Sequence, residues 1–189
     1  AATWWQAIPL TISLGLAMAS IGFNIQHDGA HSAYSNRKWV NSLMAMTLDL
    51  LGGSSFYWKK THNQVHHSYT NITGHDGDID MGALGRLSPH QQSRWFHRLQ
   101  HLYLWVLYGF LPFKWQFYDD MRGVLTGRIG LNRFARPRGR HLAVFVGGKL
   151  LFVSLALVIP MMIHPWHTVL LFFFIASFVQ GLTLSVVFQ

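Results

Sequence analysis

Residues 142–163 read LAVFVGGKLLFVSLALVIPMMI, and after His164 and Pro165 the chain continues as WHTVLLFFFIASFVQGLTLSVVF over residues 166–188. Each run is apolar for long enough to cross a hydrocarbon core about 30 Å thick as a helix rising ~1.5 Å per residue. Only His164 and Pro165 are available to turn between them, so the two runs form a hairpin of two crossings. Lys149 is the one charged residue inside them. It lies about two helical turns from the start of its segment, near enough for its stem to snorkel toward the basic side, and Pro160 is placed to kink the same helix. An earlier run, IPLTISLGLAMASIGFNI over residues 8–25, is uncharged and forms about 27 Å of helix. Trp4 and Trp5 precede it as an interfacial belt. It lacks the basic start of a signal peptide and runs directly into polar residues.

Composition agrees. Half of the 189 residues are apolar, 15% are aromatic and 12% are charged, about half the ~25% charged share of soluble domains. The fold class expected is all-α: an integral membrane helical protein with three crossings plus interfacial helices. Residues 40–58 and 102–113 are apolar but short, and the former is broken by Asp49, Gly52 and Gly53. Both are expected to lie along the membrane or re-enter it rather than cross. The formal charge of +8 would point to nucleic acid in a soluble chain; here it marks loops beside anionic lipid, and no nucleic-acid partner is expected.

Of the 15 Lys and Arg residues, 14 fall between Arg37 and Arg140, which places that segment in the cytoplasm. The first span then enters the cytoplasm at His27, and the hairpin leaves at His141 and returns at Gln189. Trp4, Trp5 and Trp166 all come to the outer interface. The basic run RFARPRGR (133–140) serves this topology and can attract an acidic partner or a coenzyme A headgroup.

Histidines cluster on the cytoplasmic side: HDGAH at 27–31 and HNQVHH at 62–67. On a helix, a spacing of four residues stacks His27 with His31 and His62 with His66. His67 lies about 100° further round and can face a second ion. With no cysteine in the chain, metal must be held by N and O donors. All seven acidic residues are aspartates, so the glutamate-bridged pattern of soluble di-iron bundles is absent. Asp28, Asp76, Asp78 and Asp80 are candidate acceptors for the second ring nitrogens of the ligands. An EF-hand reading of residues 76–87 fails because Met81 stands at the glycine position and Leu87 at the glutamate position. His75, His90, His97, His101, His141, His164 and His167 read as ordinary loop or interfacial residues, with His97 and His101 on an amphipathic surface helix.

The two histidine motifs, HDxxH and HxxxHH, and the run HHSYTNITGHDGDID (66–80) resemble the membrane-bound fatty acid desaturases, closest to bacterial front-end acyl desaturases of the linoleoyl-CoA type. The resemblance implies a single, partial desaturase domain over 1–189: a first span at 1–26, a cytoplasmic histidine-box region at 27–140 and a transmembrane hairpin at 141–189. It implies metal ligation by His27, His31, His62, His66 and His67, two non-haem iron ions, O2 as co-substrate, and a fatty acyl-CoA or acyl-lipid substrate. It also implies an electron donor such as a ferredoxin or haem-containing carrier with its reductase, and a location in the bacterial inner membrane. A further histidine, another membrane segment and a QxxHH box are expected beyond residue 189, and five imidazoles fall short of the eight or so ligands that two such ions take. The chemistry fits the residues, because no acid or base side chain can take hydrogen from an unactivated methylene, whereas transition-metal oxidation chemistry can. A lipid hydroxylase or ketolase of the same histidine-box group is the near alternative. A membrane metal-binding or transport protein is the distant one; it would carry ionisable groups at mid-membrane, whereas here the histidine motifs lie at helix ends and the spans carry only Lys149.

Overall fold

The computed structural model describes residues 3–188. Three helices are long and apolar enough to cross a membrane: Trp4–Ala30, Arg140–Ile163 and Trp166–Phe188. These are the three crossings the hydropathy pattern predicts; elsewhere the described residues form shorter helical pieces joined by turns, the longest non-helical stretch being residues 70–94, with one two-stranded hairpin. The first span's helix does not stop at Gln26. It widens into a π-helical turn at Ile21–Gln26 and continues through Ala30, carrying His27 and Asp28 on its last turn.

The first and third spans run parallel. Trp4 meets Phe172 at one end, and Phe23 and His27 meet Phe188 at the other. Small residues let them close: a Cβ on Gly15 would lie 2.6 Å from the Ala176 carbonyl oxygen. In lipid, where apolar burial gives no net drive, such backbone proximity is a main source of helix association. The outward faces stay apolar and open, as at Leu10, Leu14, Leu150 and Met162. In the second span a π-helical turn at Ser154–Val158 ends two residues before Pro160. Proline has no N–H for the carbonyl four residues back, so the helix opens by one residue instead of only bending.

Residues 40–58 form no continuous helix. They break into Lys38–Ala45, Thr47–Leu50 and Ser55–Trp58, with the break at Leu51–Ser54. The 102–113 run belongs to helical pieces from Trp95 to Thr126 that pack on the third span, where a Cβ on Gly181 would lie 2.7 Å from the Tyr108 carbonyl oxygen. Lys149 corrects the sequence reading in its destination. Its ammonium turns inward: the side chain is mostly buried and donates to Asp120 Oδ2 at 2.8 Å, to the Gln116 carbonyl at 2.8 Å and to the Gly52 carbonyl. Burial pushes the Asp120 carboxyl up to about 7, against the pull of Lys149. A buried cation needs such partners more than it needs a short path out.

Candidate metal centre

The second histidine motif sits on one helical stretch: Ser55–Trp58, a π-helix at Lys59–His66, and His67–Tyr69. Ser54 starts it by accepting a hydrogen bond from the Tyr57 N–H, a common N-cap geometry. The π-helix decides which histidines share a face. At roughly 80° per residue, the fourth and fifth residues along return to within about 50° of the start on either side. On an α-helix the fifth would point about 140° away. His66 therefore stacks on His62 with ring centroids 5.3 Å apart, while His67 meets the same His62 ring edge-on at 4.8 Å.

The first motif comes to this face from the end of the first span. His27 and His31 are 4.5 Å apart between ring centroids and lie 5.3 and 5.4 Å from His62; His31 is 4.9 Å from His67. Asn63 ties the two motifs together by donating to the Ala30 carbonyl at 2.9 Å. Nitrogen atoms of His27, His31 and His62 lie within 4.8 Å of one another, as do ligand atoms of His62, His66 and Asp78. All five predicted histidines thus meet in one cluster, with His62 common to both groups. The Nε2 atoms of His31 and His62 are buried and make no hydrogen bond. Burying an imidazole nitrogen unpaired costs free energy that a bound cation would offset, so the donor set fits a metal of the kind imidazole favours. Burial, reinforced by His27, His62 and His67, holds the His31 pKa below its ordinary value. The ring is therefore neutral, as a ligand must be, down to lower pH than usual.

The aspartates divide. Asp76 is buried and accepts from His66 Nδ1 at 3.1 Å, from the Asn71 N–H at 2.8 Å and from the Asp78 N–H at 3.0 Å. Burial alone would raise its pKa, but these donors outweigh it and hold the carboxyl below its usual value. A carboxylate can only accept, so Nδ1 carries the proton in this bond, and a neutral His66 ring has Nε2 left for a metal. Asp78, half exposed, lies 3.2 Å from His66 Nδ1 and 3.9 Å from His62 Nδ1. Asp28 lies 3.6 Å from His27 Nδ1. Asp80 touches no histidine and accepts from the Gly82 N–H.

Sequence reasoning missed several supporting residues. Trp58 stacks on His62 at 4.2 Å and stands edge-on to His27 and His31; its place four residues before His62 was the available signal. His75, read as an ordinary loop residue, shares Nδ1 with Asn132 Oδ1 at 3.1 Å, and the Gly74 carbonyl accepts from the Leu131 N–H at 3.0 Å. The hairpin β1 (Arg128–Ile129) and β2 (Asn132–Arg133) thereby clamps the loop that carries Asp76. Its Ile129 and the following Phe134 pack on Tyr57 and Val65 of the helix bearing the second motif. His97 is buried, held by the Arg94 N–H and the Ala83 carbonyl, so it braces a turn instead of facing a surface.

The fatty acid desaturase family model matches residues 2–189. The chain belongs to the fatty acid desaturase family. Among its desaturase relatives, the sn-1 linoleoyl-lipid 6-desaturase of Arthrospira platensis is 38% identical over 156 residues, 82% of this chain and 42% of that protein. The acyl-lipid (8-3)-desaturase of Physcomitrium patens is 36% identical over 180 residues, 93% of this chain and 38% of that protein. The chain spans about two-fifths of the length of these desaturases. No solved structure matches.

Proposed function

We propose that these residues form the part of a membrane fatty acid desaturase that holds two non-haem irons through His27, His31, His62, His66 and His67, with other ligands from residues outside these 189. The observation that carries the reading is the meeting of both histidine motifs around the buried, unpartnered Nε2 atoms of His31 and His62. When bound, the irons would supply the O2-dependent oxidation that removes hydrogen from a methylene group. The chain's own residues prepare for it. Asp76 fixes His66 in the tautomer that leaves Nε2 free, Trp58 and Phe188 wall the cluster with apolar rings, and Asn63 sets the distance between the motifs.

The activities for which the relatives are named support an acyl lipid as substrate. The basic segment between Arg37 and Arg140 supports a cytoplasmic face for the cluster, where an electron donor such as a ferredoxin or a haem-containing carrier would reach it. Cysteine placed at Arg138 should then label from the cytoplasmic side only, and cysteine at His164 from the opposite side only.

Fatty-acid methyl-ester analysis of cells expressing the gene that contains these residues tests the activity. A new unsaturated product, lost with loss of bound iron when any of the five histidines becomes alanine, is the expected result. Hydroxylated products would assign the neighbouring chemistry instead, and near-wild-type product from a box variant would reject the ligand set.

A further inference from the structure

The chain has seven acidic residues, all aspartates, and each is engaged away from the 128–136 segment. Asp28, Asp76 and Asp78 face box histidines, Asp119 pairs with Lys114 and Asp120 with Lys149. Asp49 accepts from the Ser55 N–H and Asp80 from the Gly82 N–H. Among the described residues, the side chains of Arg128, Arg133 and Arg136 have neither an ion pair nor a hydrogen bond. They nevertheless share one place. Arg128 and Arg133 are direct partners across the hairpin, a juxtaposition of like charges that destabilises a strand pair. Arg136 lies against Gly127, 3.3 Å from where a Cβ there would stand. The three arginines line a cleft of about 290 Å³ with Thr126, Gly127 and Phe134.

The hairpin cannot relieve the repulsion by slipping. Its register is pinned by the Phe134 N–H to Gly127 carbonyl bond at 3.0 Å, by Leu131 on the Gly74 carbonyl, and by Ile129 and Phe134 packed on Tyr57 and Val65. Gly127 holds a positive φ of 66°, the left-handed conformation that favours glycine. The pinned backbone keeps three arginines without ion pairs around one cleft, and arginine binds phosphate through paired N–H donors.

We propose that this cleft holds the phosphate of an anionic bilayer phospholipid. Position argues for lipid over a dissolved anion or an acidic protein: the second span begins at Arg140, four residues past Arg136, which sets the cleft near the headgroups. Leu125 and Leu131, 67% and 71% exposed, stand beside it in the chain. Cationic groups flanked by open leucines suit an amphiphile at the interface. The inference does not depend on the chemistry of the histidine cluster. It connects to that cluster, because the same hairpin clamps the loop carrying Asp76.

Native mass spectrometry of the chain purified in a neutral detergent, titrated with phosphatidylglycerol, phosphatidylcholine or inorganic phosphate, tests it. R128Q/R133Q/R136Q should weaken phosphatidylglycerol binding about tenfold, whereas R37Q/K38Q/R98Q, which removes equal charge elsewhere, should change it less than twofold. R128K/R133K/R136K, which keeps charge without the paired donors, should fall between. Circular dichroism verifies that each variant retains its helices; if the triple variant unfolds, R133Q alone should still weaken binding about threefold. Equal losses in the two glutamine triples would show diffuse charge only and overturn the proposal. So would arginine-dependent binding of inorganic phosphate as tight as that of phosphatidylglycerol, or phosphatidylglycerol binding indifferent to all three arginines.

Discussion

Replacing Asp76 with asparagine removes charge while keeping shape, and the surrounding donors determine the effect. Three of them converge on the carboxylate: His66 Nδ1, the Asn71 N–H and the Asp78 N–H. Asparagine offers one acceptor oxygen where aspartate offers two, so its NH2 must face one of these donors. Facing a backbone N–H, it leaves that buried group unpaired. Facing His66, it requires Nδ1 to accept, which moves the imidazole proton to Nε2 and blocks the nitrogen available to a metal. A hydrogen bond to a charged group contributes about 1.5–3 kcal/mol, and loss of a carboxylate behind a ligating histidine typically lowers metal affinity about 10- to 100-fold. Because Asp76 is held below its usual pKa, its stabilising contribution is fully present above the unfolded carboxylate value and is lost as pH falls through the lowered one; assays near neutrality therefore see all of it. Titration of the metal-free chain with Fe2+ or Co2+, alongside thermal unfolding without metal, separates the loss of ligation from the loss of stability. D76N should bind metal about 10- to 100-fold more weakly and melt modestly earlier. Unchanged metal affinity with earlier melting would refute the reasoning, leaving Asp76 as a brace for its turn alone.

Asn132→Ala should free the loop it clamps, so hydrogen exchange at residues 72–78 should quicken several-fold while exchange in the spans stays unchanged; undisturbed protection there would remove the hairpin from the account of the site. Asp120, raised by burial to about 7, binds its proton more tightly folded than unfolded. Its effect on stability is therefore absent below the unfolded carboxylate pKa and grows more unfavourable as pH rises from about 4 to about 7. D120N should flatten that slope in thermal unfolding between about pH 4 and 8, and a slope unchanged by the substitution would show that Lys149 keeps Asp120 ionised throughout.

The spans and the histidine motifs were legible because apolar length and i,i+4 spacing are local properties. What the sequence hid was long-range or depended on helix register. Counting at 3.6 residues per turn sends His67 about 140° from His62, and only the π-helix at Lys59–His66 brings both His66 and His67 to it. Asp76 and Asp80 look alike in the run HDGDID, yet one is buried under His66 and the other caps a turn, because Asn71 takes a left-handed conformation, φ 62°, and turns the chain back on itself. His75 and Asn132 are 57 residues apart, beyond the reach of any periodicity. Lys149 read as a residue seeking water because nothing nearby in sequence could pair with it; Asp120, 29 residues away, does.

That pairing sets the depth of the second span. A lysine that snorkels to water lets its helix ride up or down as the bilayer thickens or thins, since its flexible stem takes up the difference. Lys149 is moored instead to Gly52, Gln116 and Asp120, so the helix cannot slide without drawing those segments with it. A mismatch between the span and the surrounding membrane must then be absorbed by the lipids or by tilt. Membrane thickness becomes a mechanical load on the very segments that flank the helix of the second histidine motif.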